Sequence, residues 1–187
     1  MMSGGTPEAY DSRSVAFHWI TAALVVVQWA GAQVIDWFPR GPLRVDARSV
    51  HILIGILLLT IVVMRLTWRL THAQRPEPAG PKAVRTLAPL VHWLLYALVL
   101  VVLIVGVATE SVRGDSFFGL FKIPAFAADK PLRSQMESLH ELVANTLLIV
   151  AGVHAVAALI HAWVWRDGVL GRMIPALRSR RENNGRP

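Results

Sequence analysis

The sequence predicts an all-α membrane protein: an integral four-helix bundle with both chain termini on the cytoplasmic side. Hydrophobic residues make up 54% of its 187 residues, and the mean hydropathy is +0.47, which is more apolar than a soluble domain of this size needs to be. Four long apolar runs account for the excess, and each can cross a hydrocarbon core about 30 Å thick as a helix. Tryptophan residues lie mostly near the ends of these runs, as in an interfacial belt. We therefore expect one membrane-embedded domain over residues 1–187.

The composition also excludes several kinds of redox site. The chain has no cysteine, so disulfides, thiolate-ligated iron–sulfur clusters and the covalent attachment motif of c-type haem are excluded. Any redox cofactor must be held by other side chains. The formal net charge is +7. Because membrane proteins place such an excess in cytoplasmic loops, we expect no nucleic-acid partner.

The first two predicted helices each carry a histidine near the start. The first helix is expected over residues 14–35, with His18 about one turn inside it. We expect this helix to be retained, because it is too long for a signal-peptide core and lacks the usual basic leader. The second helix is expected over residues 49–68, begins close to His51 and follows a loop rich in Pro and Gly.

The last two predicted helices are separated by a long loop. The third helix, residues 87–109, follows a basic, Pro-rich linker and carries His92 near its start. The fourth helix is expected over residues 136–163. The loop between them, residues 110–135, is partly apolar, and we expect it to lie in the membrane interface. The arginine-rich segment after the fourth helix is expected to be disordered at its end.

The distribution of basic residues predicts the orientation of the bundle. Lysine and arginine are concentrated in the linker between the second and third helices and in the C-terminal segment, whereas the other two loops are near charge balance. Both basic segments fall on the same side of a four-span bundle, so the positive-inside rule places both termini in the cytoplasm. The loops around Arg44 and Phe118 then face outward.

Two histidines of the fourth helix indicate cofactors at two depths. His140 and His154 are 14 residues apart, nearly four turns, so their side chains lie on one face about 21 Å apart along the axis. Ionisable side chains at membrane depth are costly and point to function. In the predicted topology, His51 lies at the depth of His140, and His18 at the depth of His154. Each pair can supply two axial imidazoles to a b-type haem, a centre suited to one-electron transfer that leaves no iron position for oxygen.

Other interpretations of the histidines stay open. A histidine within a span can simply hydrogen-bond a neighbouring helix, an explanation that four depth-matched histidines disfavour. His92, near the cytoplasmic end of the third helix, competes with His18 or His154 as a ligand. His161, two turns past His154, is a candidate for handling quinone or its protons, and an ordinary interfacial histidine is an equal alternative.

Two glycines lie close to these histidines in the sequence. Gly55 follows His51 by one turn, and Gly152 precedes His154. Such glycines can let a flat macrocycle approach the backbone. They can equally be small residues at helix contacts, which are common in membranes.

An ordered set of motifs extends along nearly the whole chain. In order they are Arg13 with His18-Trp19, His51 with Gly55, Arg65-Leu66-Thr67-Trp68-Arg69 with the Pro-rich segment after it, His92 with Tyr96, His140-Glu141, His154, and WRDGVLGRMIP over Trp165–Pro175. By these motifs the chain resembles the bacterial cytochrome b561 family, within the wider group that includes the cytochrome b subunits of nickel–iron hydrogenases. A single His-Trp pair is a weak signal, but the ordered set in a chain of this length is specific.

The resemblance implies a four-helix bundle that binds two b-type haems. It implies His18 and His154 as the ligands on the cytoplasmic side, and His51 and His140 as the ligands on the periplasmic side. It also implies an oxidoreductase of the bacterial inner membrane that exchanges electrons with the quinone pool, with ubiquinone as acceptor. Some members are described as superoxide oxidases, so superoxide is a candidate donor. Membrane lipid, quinone, and either superoxide or a periplasmic redox protein are the expected partners.

Basic residues on the predicted outer side fit an anionic donor such as superoxide. They are Arg40, Arg44, Arg48, Arg113 and Lys122, although nearby acidic residues weaken this indication. The alternative function is an electron-transfer membrane subunit for a partner dehydrogenase or hydrogenase. A non-redox membrane protein is a third hypothesis, which leaves the depth-matched histidines unexplained.

Overall fold

Four long helices make up most of the chain. A computed structural model describes residues 9–73, 76, 82–125 and 129–174. The helices are α1 (Ser12–Ile35), α2 (Pro42–Thr71), α3 (Lys82–Arg113) and α4 (Lys130–Ile160). A small antiparallel hairpin of β1 (Ser116–Phe117) and β2 (Phe121–Lys122) connects α3 to α4. All four helices are long and apolar enough to cross a membrane, so the predicted all-α, four-helix membrane bundle is confirmed.

The predicted bounds were close for α1 and wrong for the starts of the other three helices. Helix α2 begins seven residues before the predicted position 49, and α4 begins six residues before position 136. In both helices a proline lies in the first turn, where its fixed φ and missing N–H are compatible with a helix. Helix α3 extends past both predicted ends, to Lys82 and Arg113. Hydropathy detects only the part of each helix inside the hydrocarbon core, and the polar turns continue beyond it.

The loop predicted over residues 110–135 is therefore shorter than expected. Its first residues belong to α3, its last belong to α4, and the β-hairpin occupies the middle. The location of this loop in the membrane interface stays a prediction. Phe126, most of the Pro-rich linker and the arginine-rich segment after residue 174 lie outside the described residues.

The bundle consists of two helix pairs with a looser contact between them. Helix α1 packs along α2, and α3 packs along α4, whereas α1–α4 and α2–α3 contacts are much sparser. One polar contact that crosses the looser interface is the hydrogen bond that the Trp29 indole N–H donates to the Asn145 side chain, at 2.9 Å. The sparse packing leaves an interface that a flat group can enter.

The two ends of the bundle are chemically different. We call the end where α1 begins and α4 finishes the terminal end, and the end that carries the β-hairpin the hairpin end. At the terminal end Asp11 caps α1 by accepting the Ser14 N–H at 2.9 Å, and it also accepts the Trp68 indole N–H at 3.0 Å. The Trp19 indole N–H donates to the Met173 carbonyl at 2.9 Å, which ties the C-terminal segment to α1.

The buried core lies midway between the two ends. It consists of Leu58, Val62, Val99, Val102 and Leu147. Leu147 is seven residues from both His140 and His154, so this apolar cluster separates the two histidine levels of α4. Many side chains on the outer surface are large and apolar, such as Ile149, which is 68% exposed. A surface of this kind is what a lipid-facing helix presents.

A buried serine holds the β-hairpin against α2. Ser49 is fully buried. Its hydroxyl donates to the Val45 carbonyl and accepts the Phe118 N–H, both at 2.8 Å. Phe118 has a φ of 50°, an uncommon conformation for a residue other than glycine, and the bond from Ser49 helps to fix it.

Replacing Ser49 by Ala should destabilise the fold, because the Phe118 N–H would stay buried without an acceptor. The expected loss is about 1–3 kcal/mol, measured as a lower midpoint of thermal unfolding for the purified protein in detergent. Thr60→Ala is the matched control, because the exposed Thr60 hydroxyl donates only to the Ile56 carbonyl of its own helix. Equal midpoints for the two variants would contradict this role.

Candidate functional site

Four of the histidines form two pairs across the looser interface. His18 of α1 and His154 of α4 have ring centroids 6.4 Å apart. His51 of α2 and His140 of α4 have ring centroids 6.3 Å apart. The structure therefore brings together the residues that the sequence grouped by depth, and it places the two pairs on opposite sides of the apolar core.

The separation within each pair suits a metal ion held between two imidazoles. A metal–nitrogen bond of about 2.0 Å on each side, plus about 1.1 Å from each nitrogen to its ring centroid, gives a separation of about 6.2 Å. In the described part of the chain, no group of three or more His, Asp or Glu side chains converges on one point. Each pair can thus fill two positions of an ion whose other ligands come from a bound group, which is the requirement of a b-type haem.

The pair at the hairpin end has a buried ring nitrogen that lacks a hydrogen bond. Nδ1 of His51 is buried and has no hydrogen-bond partner among the described residues. Nδ1 of His140 has no bond of good geometry either, although the Val102 backbone is close enough to hydrogen-bond this side chain. A metal ion on Nε2 of each ring would fix the ring hydrogen on Nδ1, so both Nδ1 atoms would be donors.

The same 14-residue spacing recurs on three helices and defines two layers. It relates His51 to Arg65 on α2, His92 to Gly106 on α3, and His140 to His154 on α4. The terminal layer therefore contains His18, Arg65, His92 and His154, and the hairpin layer contains His51, Gly106 and His140. Two members, Arg65 and Gly106, were not predicted as site residues, although their spacing from the histidines was visible in the sequence.

Arg65 and His92 both contact histidines of the terminal layer. A guanidinium nitrogen of Arg65 lies 3.2 Å from Nδ1 of His18. The ring centroid of His92 is 5.2 Å from that of His154, which is about 1 Å less than two imidazoles on one metal ion require. His92 in this position packs against the His154 ring edge.

The glycines near the site differ in their surroundings. A Cβ atom added at Gly106 would lie 3.0 Å from Cε1 of His140, so the glycine allows α3 to approach that ring. A Cβ at Gly55 would lie 3.2 Å from the Gln28 side chain, which donates to the His51 carbonyl. Gly152 is exposed and has no described atom within 4 Å of its added Cβ. A close helix contact thus explains Gly55.

Helix α4 ends in an irregular turn that carries His161. A π-helical turn spans His161–Trp165, and such turns are frequent at functional sites. The Nδ1 atom of His161 hydrogen-bonds the Asp167 carboxylate, and both side chains are largely buried. Partial burial acts to raise the pKa of the Asp167 carboxyl. The hydrogen bonds with His161 and the Val169 N–H outweigh it, so this pKa lies below its ordinary value.

Comparison with known proteins identifies the family of the chain. The family of prokaryotic cytochrome b561 matches residues 9–176. The chain belongs to this family. It is 31% identical to the probable superoxide oxidase CybB of Yersinia pestis over 172 residues, which cover 90% of this chain and 97% of the relative. It is also 31% identical to cytochrome b561 homolog 2 of Escherichia coli (strain K12) over 180 residues, covering 90% and 93% of the two chains.

A third relative is similar over the same region. Cytochrome b561 homolog 1 of Escherichia coli (strain K12) is 27% identical over 170 residues, which cover 89% of this chain and 97% of the relative. The family implies b-type haem binding, and four apolar spans make the protein a multi-pass bacterial membrane protein. It is a membrane cytochrome b in electron transfer.

The hairpin end of this cytochrome b561 carries an arginine-lined pocket. The pocket has a volume of about 290 Å³, and its charged lining residues are Arg40, Arg44, Arg48 and Arg133. Arg48 precedes His51 by one turn and Arg133 precedes His140 by two turns. The pocket therefore lies between the hairpin layer and the hairpin end of the bundle. Arg133 was not among the predicted basic residues.

The two other predicted cations do not line this pocket, although Arg113 shares Asp115 with Arg48 and Glu137 with Arg133. Arg113 forms ion pairs with Asp115 at 2.9 Å and with Glu137 at 3.3 Å. Lys122 is exposed on β2. The three arginines 40, 44 and 48 are thus the members of the predicted set that share one surface.

Proposed function

We propose that this cytochrome holds two b-type haems and moves electrons between the outer face of the membrane and the quinone pool. His18 and His154 would hold one haem, and His51 and His140 the other. The observation that carries the proposal is the pair of imidazole couples at 6.4 and 6.3 Å, on opposite sides of the apolar core. When bound, the haems supply the one-electron redox chemistry, and the chain supplies ligands, position and exclusion of water.

The protein environment sets what such a site can do. Two imidazoles on one haem would leave no position for oxygen on the iron, so such a site would be suited to electron transfer. The core side chains Leu58, Val62 and Leu147 keep water out of the space between the two layers. His92 is assigned no ligand role, because its ring is too close to that of His154 to share a metal ion with it.

The proposed orientation puts the terminal end in the cytoplasm of a bacterial inner membrane. Support comes from the concentration of lysine and arginine in the linker before α3 and in the C-terminal segment. The hairpin layer then lies near the periplasm and the terminal layer near the cytoplasm. Electrons would enter at one of these faces and leave at the other.

Ubiquinone is the proposed acceptor, with His161 as the residue that handles its protons. Reduction of a quinone takes two electrons and two protons. His161 is two turns from His154, at the end of α4 that would meet the aqueous phase. Asp167 engages Nδ1 of His161, so Nε2 is the nitrogen left to face a quinone oxygen. The pKa of Asp167 is lowered, so its carboxylate is ionised at neutral pH and can accept the Nδ1–H of His161.

Superoxide is the proposed donor, taken up at the arginine-lined pocket. One superoxide anion releases one electron and becomes dioxygen, so two are needed for each quinone. Cations that line a cleft raise the local concentration of a small anion. The relative from Yersinia pestis is named as a probable superoxide oxidase, which supports this donor.

A partner dehydrogenase or hydrogenase is the second candidate donor. The hairpin end exposes large apolar side chains, including Trp37, which is 81% exposed, and Leu120, which is 80% exposed. Exposed aromatic and apolar groups of this kind are typical of protein interfaces. In this case the chain would be the membrane subunit of a larger redox complex.

Removing the histidines one at a time tests the two-haem proposal. The purified wild-type protein should bind about two haems and show a b-type reduced-minus-oxidised spectrum. His51→Ala and His140→Ala should each lose the same haem, and His18→Ala and His154→Ala the other, because each haem depends on both of its ligands. His72→Ala, at the end of α2 away from both layers, is the control and should keep both haems. A colourless wild-type protein, or loss that does not follow the pairs, would refute the assignment.

Replacing Gly106 by Leu should lower the haem content from two towards one, because the new side chain would collide with the His140 ring. Val107→Leu is the control on the same helix, since the Val107 side chain is 60% exposed on the outer surface of the bundle. Haem extraction and the spectrum of the remaining haem measure the result. If both variants keep two haems, the close approach of α3 to His140 has no importance for binding.

The double variant Arg40→Gln/Arg133→Gln should reduce the rate of haem reduction by superoxide by roughly tenfold at low ionic strength, with haem content unchanged. Stopped-flow spectroscopy at several salt concentrations measures this rate, and Lys122→Gln is the control outside the pocket. A wild-type protein that superoxide does not reduce, and that co-purifies with a dehydrogenase, would instead favour the second donor.

A further inference from the structure

Arg65 is a partly buried cation in direct contact with a histidine of the terminal layer. One guanidinium nitrogen lies 3.2 Å from Nδ1 of His18, and Cζ lies 5.0 Å from the centroid of the Tyr96 ring. The ion pairs within the described ranges do not include Arg65. His18, His92 and His154 have electrostatic interactions with arginines and with one another. Among the described residues, the terminal layer thus has a positive charge that no carboxylate in the layer balances.

The hairpin layer has its cations balanced by carboxylates. Arg113 is the arginine that acts on His51, and it is paired with both Asp115 and Glu137. Arg48, one turn from His51, also pairs with Asp115, at 3.4 Å. The two layers therefore differ in electrostatics, although each presents the same kind of imidazole pair.

Solvent has little access to the charge on Arg65. A cavity of about 30 Å³ lies between Arg65, Trp68 and Tyr96, with room for about one or two water molecules. Because few water molecules screen the guanidinium, its effect on a neighbouring centre is larger than that of a surface charge.

We infer that Arg65 raises the reduction potential of the haem held by His18 and His154 above that of the haem held by His51 and His140. A haem carries one less positive charge after reduction, so a nearby cation stabilises the reduced form. Charge, hydrogen bonding and solvent exposure around the centre are the means by which a protein sets such a potential. This inference rests on the proposed two-haem function, and Arg65 acts in it through its charge, close to His18.

The inferred difference in potential gives electron transfer a direction. With both haems bound, an electron would be favoured on the site held by His18 and His154 over the site held by His51 and His140, and no bond would form or break. The favoured direction would be from the arginine-lined pocket towards His161, where a quinone would take up two electrons and two protons.

The effect depends on the charge of Arg65 and not on its hydrogen bond. In the structure Nδ1 of His18 can accept from the guanidinium, which places the ring hydrogen on Nε2. A metal ion on Nε2 would move that hydrogen to Nδ1, which then cannot accept. With a metal ion on Nε2 the guanidinium could not donate to Nδ1, and Arg65 would act on the site through its nearby charge alone. Lys should therefore replace Arg65 better than Gln does.

A redox titration of the haem-loaded protein tests the inference. Arg65→Gln should shift the higher of the two midpoint potentials downwards and leave the lower one unchanged, whereas Arg65→Lys should restore most of the wild-type value. Arg13→Gln is the matched control, because Arg13 is exposed at the same end and stacks on Trp68 instead of contacting a layer histidine. It should leave both potentials unchanged. The low-spin EPR signals of the two haems provide a second readout of the altered site.

Single-haem variants give an independent measurement if Arg65→Gln does not fold. With Arg65 intact, His140→Ala should retain the haem of higher potential, and His18→Ala the haem of lower potential. Two haems with equal or reversed potentials, or an unchanged potential in folded Arg65→Gln, would overturn the role of Arg65 and leave the two-haem proposal standing. A protein without haem would overturn both.

Discussion

The placement of imidazoles at membrane depth is the constraint on which the rest of the structure depends. A polar ring inside a bilayer has no water to satisfy it, so it must meet a partner within the bundle. Here each histidine of the two couples faces the ring of another histidine on a different helix, across the looser interface between the helix pairs. The apolar side chains around Leu147 fill the space between the two couples. Lipid-facing side chains cover the outside, and the whole bundle is thus arranged around two polar levels.

Much of this arrangement could be predicted from spacing and depth. The 14 residues between His140 and His154 fix both the number of levels and their separation, and the direction of each helix assigns His18 and His51 to a level. The starts of α2 and α4 could not be read from hydropathy, because their first turns are polar and contain proline. Arg65 and Gly106 were missed for another reason: an arginine near a helix end reads as an interfacial residue, and a glycine in an apolar run carries no sign of the ring that it faces.

The two ends of the bundle use similar residues for different purposes. At the hairpin end, arginines pair with carboxylates or line an open pocket, so their charge is partly balanced and accessible to water. At the terminal end, arginines lie against aromatic rings, with Arg13 over Trp68 and Arg65 over Tyr96. An aromatic face accepts a cation without neutralising it. The net charge of the chain therefore says little about the electrostatics at either level, which depend on the partner of each side chain.

The hydrogen bond between Trp19 and the Met173 carbonyl connects residues at opposite ends of the chain. It cannot form until the segment after α4 has been synthesised, because 154 positions separate the two residues. All four helices therefore precede this contact during synthesis, and until then the terminal end of the bundle lacks one of its hydrogen bonds. The position of the two residues in the sequence thus makes this end of the bundle the last to be completed.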